Sequence, residues 1–350
     1  MTGRRVPRAL AGAAVVAALA LPGRAQAPDP PPAPGGLTGA AAVAAAYDLV
    51  IDAGLDALPA RLRATCGPAP AEACAVLEAV GLQWDLLLDP ADRSRDEELA
   101  RRIEAAIART GAWVAREPGR AEAWFYRGAA YGVRVQWHVL RERRLAAARD
   151  GKRIREAMQR ALALDPSLHD AQFGLGMYEY YADVAPAVLK WFRWILLLPG
   201  GDRAEGLGLI RGARTDGQIV AAEADYQLHL IDLWYEHRFD EALAIVRDLG
   251  ARFPHNPLFP AAEASILASY FDDPAASLAA SERLLARARA GEVRHQALAA
   301  VTARLGMARA LAALGRGAEA RALLEAIVAE RPAAPADAAV RAARLLATLR

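Results

Sequence analysis

Residues 121–133 read AEAWFYRGAAYGV, and the spacing Trp124-x-x-Arg127-Gly128-x-x-Tyr131 within them decides the fold class. Positions 124, 128 and 131 fall on one face of a helix, because side chains three and four residues apart lie one above the other. Gly128 removes the side chain where a second helix would press closest, and Trp124 and Tyr131 fill the space to either side. Such a face needs a partner helix. The chain supplies one downstream, where Ala161-Leu162-x-Leu164-Asp165-Pro166 carries an apolar stripe up to a proline that cannot continue a helix.

The same period extends in both directions. Residues 37–62 are Ala-rich and interrupted only by Gly39, Gly54 and Pro59. A helix is predicted over 71–88, stopped by Asp89-Pro90, and another over 96–116, stopped by Glu117-Pro118-Gly119. No stretch sustains the period-2 alternation of a half-buried strand. Alanine keeps no side-chain entropy to lose in a helix, and hydrophobic residues at 54% are ample for a large core. With 43 Lys+Arg against 41 Asp+Glu, the chain lacks the basic excess of a nucleic-acid binder.

The aromatic and glycine spacing resembles the W-x-x-L-G-x-x-Y opening of a tetratricopeptide repeat, with Arg127 standing where the family has Leu. Pro166 lies 42 positions after Trp124, longer than the usual spacing within a 34-residue unit, so the two helices should be elongated. Further second halves are read at Glu241-Ala242 to Pro254 and at Glu319-Ala320 to Pro332, with a degenerate pair over 260–270 and 274–290 between them. The terminators Pro166, Pro254 and Pro332 are 88 and 78 residues apart, neither a multiple of 34, so an irregular array is expected. Gly174-x-Gly176-x-Tyr178, followed by residues 198–207 (LPGGDRAEGL), looks like a feature of an exported bacterial subfamily of such repeats. It is also distantly similar to the eukaryotic tetratricopeptide repeat 39 proteins. The resemblance implies an all-α, irregular α-solenoid of antiparallel helix pairs over 119–334, with an N-terminal helical extension over 37–118 and a capping helix in 335–350. It implies no catalytic activity.

The first 27 residues join a basic start (Arg4, Arg5, Arg8), a 13-residue apolar stretch over 9–21 and small residues Ala25 and Ala27. A secretory signal peptide cleaved after Ala27 is expected, since a spanning helix needs about 20 residues. Residues 28–36 (PDPPPAPGG) then form a Pro-rich linker, and the compartment implied is the periplasm. Without residues 1–27 the chain carries 39 basic and 41 acidic residues. Export exposes thiols to oxidants, and the two cysteines, Cys66 and Cys74, bracket the bend CGPAPAEAC, so a disulfide between them is expected.

Four features could carry function. Asp225, His229, Asp232 and Glu236 step by 4, 3 and 4, sharing one face of a helix whose opposite face (Ala224, Leu228, Ile231, Tyr235) is apolar. That face is read as a wet, groove-lining side; a divalent ion or acid-base chemistry is the rival, weakened by the lack of H-E-x-x-H spacing. Residues 190–198 (KWFRWILLL) suit either a buried helix or a membrane interface. Residues 141–160 carry eight basic side chains against three acidic ones, a solvated face or a contact for anionic lipid. Gly200-Gly201-Asp202 lacks the Lys-Ser/Thr of a phosphate loop, and Asp202 with Glu205 reads as a helix cap. No Ser, Cys or His forms a nucleophile motif.

The function expected is a non-catalytic periplasmic scaffold, without cofactor or metal, that binds a protein or peptide in a concave groove, and not nucleic acid. The binding residues expected are Trp124, Tyr131, Gln172, Tyr178, Asp225, His229, Asp232 and Glu236. The alternatives are a peripheral membrane adaptor and a metal-dependent enzyme built on the acidic-His face.

Overall fold

The computed structural model describes residues 36–184 and 199–349. The expected signal peptide, nearly all of the Pro-rich linker and the aromatic segment 190–198 lie outside the described residues. Among the described residues the chain is all-α, with fifteen helices and no strand. The first three are α1 (Ala40–Ile51), α2 (Leu58–Thr65) and α3 (Ala71–Leu88). Then come α4 (Asp96–Arg116), α5 (Ala121–Leu140), α6 (Arg144–Leu164), α7 (His169–Val184) and α8 (Arg203–Asp216). The remainder are α9 (Ala221–Trp234), α10 (Phe239–Arg252), α11 (Leu258–Tyr270), α12 (Pro274–Ala290), α13 (Gln296–Ala313), α14 (Gly317–Glu330) and α15 (Ala338–Thr348).

Local chemistry sets these limits. α3 and α4 end at Leu88 and Arg116, immediately before Asp89-Pro90 and Glu117-Pro118, where the missing N–H and the ring of proline forbid another turn. At the start of α8 the Asp202 carboxylate accepts the Glu205 backbone N–H at 2.9 Å, and at the start of α12 Asp273 accepts that of Ala276 at 2.8 Å with Pro274 in the first turn. Each satisfies a donor that the first turn leaves without an intrahelical acceptor. α5 and α6 run 20 and 21 residues, the elongation that the 42-residue spacing requires.

Each helix packs mainly on its neighbours in the chain, most extensively α5 on α6, α7 on α8 and α12 on α13. Second neighbours also touch, as α3 with α5, α5 with α7, α11 with α13 and α13 with α15. Short connections such as residues 141–143 make successive helices antiparallel. At Gly128 a Cβ would stand 2.6 Å from Met158 Cε and 3.4 Å from Ala157 Cβ on α6, so the glycine does admit the partner helix. α7 and α8 approach more closely still. A Cβ at Gly206 would lie 2.5 Å from the Tyr180 amide nitrogen, and one at Gly176 would lie 2.7 Å from the Gly206 carbonyl oxygen. Backbone cannot yield as a side chain can, so this pair of glycines fixes how the two helices meet.

The N-terminal helices are more than an extension. Thr38 donates to Glu122 from both its backbone N–H (2.7 Å) and its hydroxyl (2.9 Å), and the Leu37 N–H reaches the Gln218 side-chain oxygen at 3.2 Å. Asn256 donates to the Ile51 carbonyl at 2.6 Å, the His255 imidazole meets Asp52 at 2.6 Å, and the Ala336 N–H reaches Asp89 across 247 positions of sequence. α1 and α3 are therefore tied to both the middle and the end of the array. Cys66, just after α2, is disulfide-bonded to Cys74 in the first turn of α3, with the two Cα atoms 6.0 Å apart. No helix among the described residues is long and apolar enough to cross a membrane.

Candidate functional site

A cavity of about 660 Å³ opens between α1, α3, α5, α6, α7 and α9. Periodicity explains what faces it. On α9, Glu223, Gln227, Leu230 and Trp234 recur at helical spacing, and on α5 Phe125, Ala129, Gly132 and Gln136 do the same. The walls are mainly aliphatic and aromatic, with few polar groups.

Glu223 is the most connected of those groups. Although only 2% exposed, it accepts hydrogen bonds from the Tyr47 hydroxyl (2.9 Å), Trp84 Nε1 (3.2 Å), Gln136 Nε2 (3.1 Å) and Gln227 Nε2 (3.0 Å). Gln83 Nε2 in turn donates to Gln136 at 2.6 Å. Four helices thus converge on one carboxylate. Burial and the neighbouring Glu223 charge push the Tyr47 phenol well above its usual range, which keeps it a donor. The Trp84 and Tyr226 rings meet beside it at 4.9 Å between centroids.

Asp170, on α7, is the second buried acid of the lining. It accepts the backbone N–H groups of Gln218 (2.9 Å), Ile219 (2.8 Å) and Val220 (3.1 Å), so it caps the start of α9 from a neighbouring helix. Tyr126 also lines the cavity and is 2% exposed, yet its hydroxyl has no hydrogen-bond partner among the described residues. Burial first, then the charges of Glu122 and Asp170, raise its pKa and hold it neutral.

Of the residues expected to bind, the structure places only Tyr178 in this cavity, where its hydroxyl donates to the Pro199 carbonyl at 2.8 Å. Trp124 is half-buried and its Nε1 donates to the Pro118 carbonyl at 2.9 Å. Tyr131 is buried beneath the guanidinium groups of Arg127, Arg134 and Arg153, each 5.1–5.4 Å from the ring centre. Gln172 contacts His169 Nδ1 at 3.2 Å.

The stripe expected to be wet is instead closed. Asp225, His229 and Asp232 are 3–4% exposed. Asp225 is ion-paired to Arg214 (2.5 Å) and Arg252 (2.6 Å), Asp232 to Arg238, and Glu236 to Arg203 (2.7 Å) with a hydrogen bond from Tyr180 (2.6 Å). These carboxylates join α9 to its neighbours. Along most of its length α9 buries its acidic face as well as its apolar one, and only its end, at Trp234, is strongly exposed. No group of three or more His, Cys, Asp or Glu among the described residues is placed to hold a metal ion. Half of the basic side chains of the segment 141–160 are engaged as follows. Arg141 pairs with Asp96 at 2.7 Å, Arg153 with Asp150 at 2.5 Å and Arg155 with Glu179 at 2.9 Å, while Arg143 lies over the Trp137 ring.

His229 gives the stripe a measurable property. Burial lowers its pKa to about 4, against an ordinary value near 6.5. The unfolded chain then binds a proton that the folded chain refuses, so this histidine leaves stability intact above about pH 6.5 and erodes it as pH falls toward 4. A shift of that size corresponds to at most about 3 kcal/mol. His229→Gln should remove that part of the loss. Urea unfolding of both proteins at pH 7 and pH 4.5 checks it, and an unchanged pH dependence would contradict the assignment.

Glu223, Asp170, Gln83 and Gln136 were not singled out in the sequence, where each is one of several polar residues on its helix. The available signal was the spacing of Glu223, Gln227, Leu230 and Trp234, a second stripe beside the acidic one. Set against known proteins, the chain matches no family model and no curated protein.

Proposed function

We propose that the protein is a non-catalytic helical-repeat binding protein that takes an apolar segment of a protein or peptide partner into the cavity between α3, α5 and α9. The cavity carries this reading. Its volume of about 660 Å³ falls within the 300–1,000 Å³ usual for ligand sites, and apolar walls with a few fixed polar groups are the usual composition. The resemblance of residues 120–332 to tetratricopeptide repeats supports recognition by helix faces. The partner's place is then an interior space bounded by α1 and α3, not an open groove. The basic, apolar and small-residue pattern of residues 1–27, with the Cys66–Cys74 disulfide, supports a periplasmic location.

Hydrogen exchange in the presence of the neutral peptide acetyl-Ser-Leu-Phe-norleucine-Leu-Ser-amide tests the site. Slower exchange concentrated in α5 and α9 is expected. Protection confined to α12–α15, or none at saturating peptide, would reject the cavity as the binding place.

A further inference from the structure

We infer that the segment entering the cavity carries a positive charge, either a lysine or arginine side chain or a free amino terminus set among apolar residues. This rests on the cavity being the binding place and adds the chemistry of its occupant.

The charges of the lining come first. Among its described residues the acids are Glu223 and Asp170, and there is no Lys, Arg or His. Elsewhere in this protein a buried carboxylate is matched by an arginine. Glu122 pairs with Arg120, Asp150 with Arg134, Glu179 with Arg155, Asp225 with Arg252 and Asp232 with Arg238. Asp170 is held by three backbone N–H groups at a helix start. Glu223 has four donors, all neutral. Those donors and its place in the first turn of α9 surround the carboxylate with partial positive charge. They do not cancel its field. An anion buried without a counter-cation is costly, and the cavity beside it is where a cation can enter.

The walls supply the rest of a cation site. Tyr47, Tyr126, Phe173, Tyr181, Tyr226 and Trp234 all line the space, and aromatic faces attract ammonium and guanidinium groups. Tyr126 adds a buried phenol oxygen with no hydrogen-bond partner among the described residues, free to accept an N–H from the ligand. An incoming carboxylate would meet Glu223 and Asp170 with like charge and no base among the described lining residues, which selects against acidic segments.

Calorimetric titration with acetyl-Ser-Leu-Phe-Xaa-Leu-Ser-amide, with Xaa lysine, norleucine or glutamate, tests the inference on the unmodified protein. The lysine peptide should bind about tenfold or more tightly than the norleucine peptide, and the glutamate peptide most weakly. Glu223→Gln, with folding checked by circular dichroism, should abolish the lysine preference. Norleucine bound as tightly as lysine, or more so, overturns the cationic occupant while the cavity reading stands. If none of the three binds, the cavity reading fails and the inference falls with it. Should Glu223→Gln not fold, the order of the three peptides on the unmodified protein still decides.

Discussion

Replacing Trp84 by alanine is expected to lower the unfolding free energy by about 3–5 kcal/mol, the range for removing a large aromatic side chain from a packed core. Trp84 is 1% exposed, packs at a tilt against Tyr226 and gives its indole N–H to Glu223 at 3.2 Å. Two losses combine in the alanine variant. The ring leaves a void between α3 and α9, and Glu223 loses one of its four donors. Trp84→Phe separates them, because it keeps most of the ring volume and removes only the donor; a cost of about 1–2 kcal/mol is expected. Urea denaturation reads both. An alanine variant within about 1 kcal/mol of the parent would contradict the packing described here.

Asp170→Ala should be comparably severe. The carboxylate is 1% exposed and accepts three consecutive backbone N–H groups, those of Gln218, Ile219 and Val220. Alanine leaves all three without an acceptor at the start of the helix that carries Glu223. At about 1–3 kcal/mol for each buried donor left unmade, and with incomplete additivity, a loss of about 3–5 kcal/mol is expected. Asp170→Asn keeps one acceptor oxygen and should lose about half as much. Equal stabilities for the alanine and asparagine variants would show that the N–H contacts do not carry the effect.

What the sequence made legible was local. Asp89-Pro90 and Glu117-Pro118 mark helix ends, and Asp202 a helix start, within one residue, because proline and the cap act over a single turn. Trp124, Gly128 and Tyr131 indicate a close helix pair, and Gly128 lies against Met158 as that spacing requires. The candidate site was not legible, for a physical reason. Its acid, Glu223, is defined by Tyr47 and Trp84, which are 176 and 139 positions away, and no local period encodes such a meeting. The acidic stripe misled for the same reason. Asp225 and Glu236 look solvated in sequence, but Arg252 and Arg203, 27 and 33 positions distant, close over them. Buried charge pairs of this kind read as surface until the fold brings the partners together.

Gly132 offers the most direct test of the cavity as the binding place. It lines the space on α5, and a Cβ added there would meet nothing within 4 Å among the described residues. Gly132→Leu therefore starts a side chain from open space at its Cβ and directs it into the opening. Leucine is also the better helix former, by about 0.5–1 kcal/mol. The measurement is calorimetric affinity for acetyl-Ser-Leu-Phe-Lys-Leu-Ser-amide on the parent and on Gly132→Leu, with melting temperatures taken alongside. The predicted result is at least about tenfold weaker binding with a melting temperature equal to or above the parent's. Unchanged affinity in a folded Gly132→Leu protein would contradict the account.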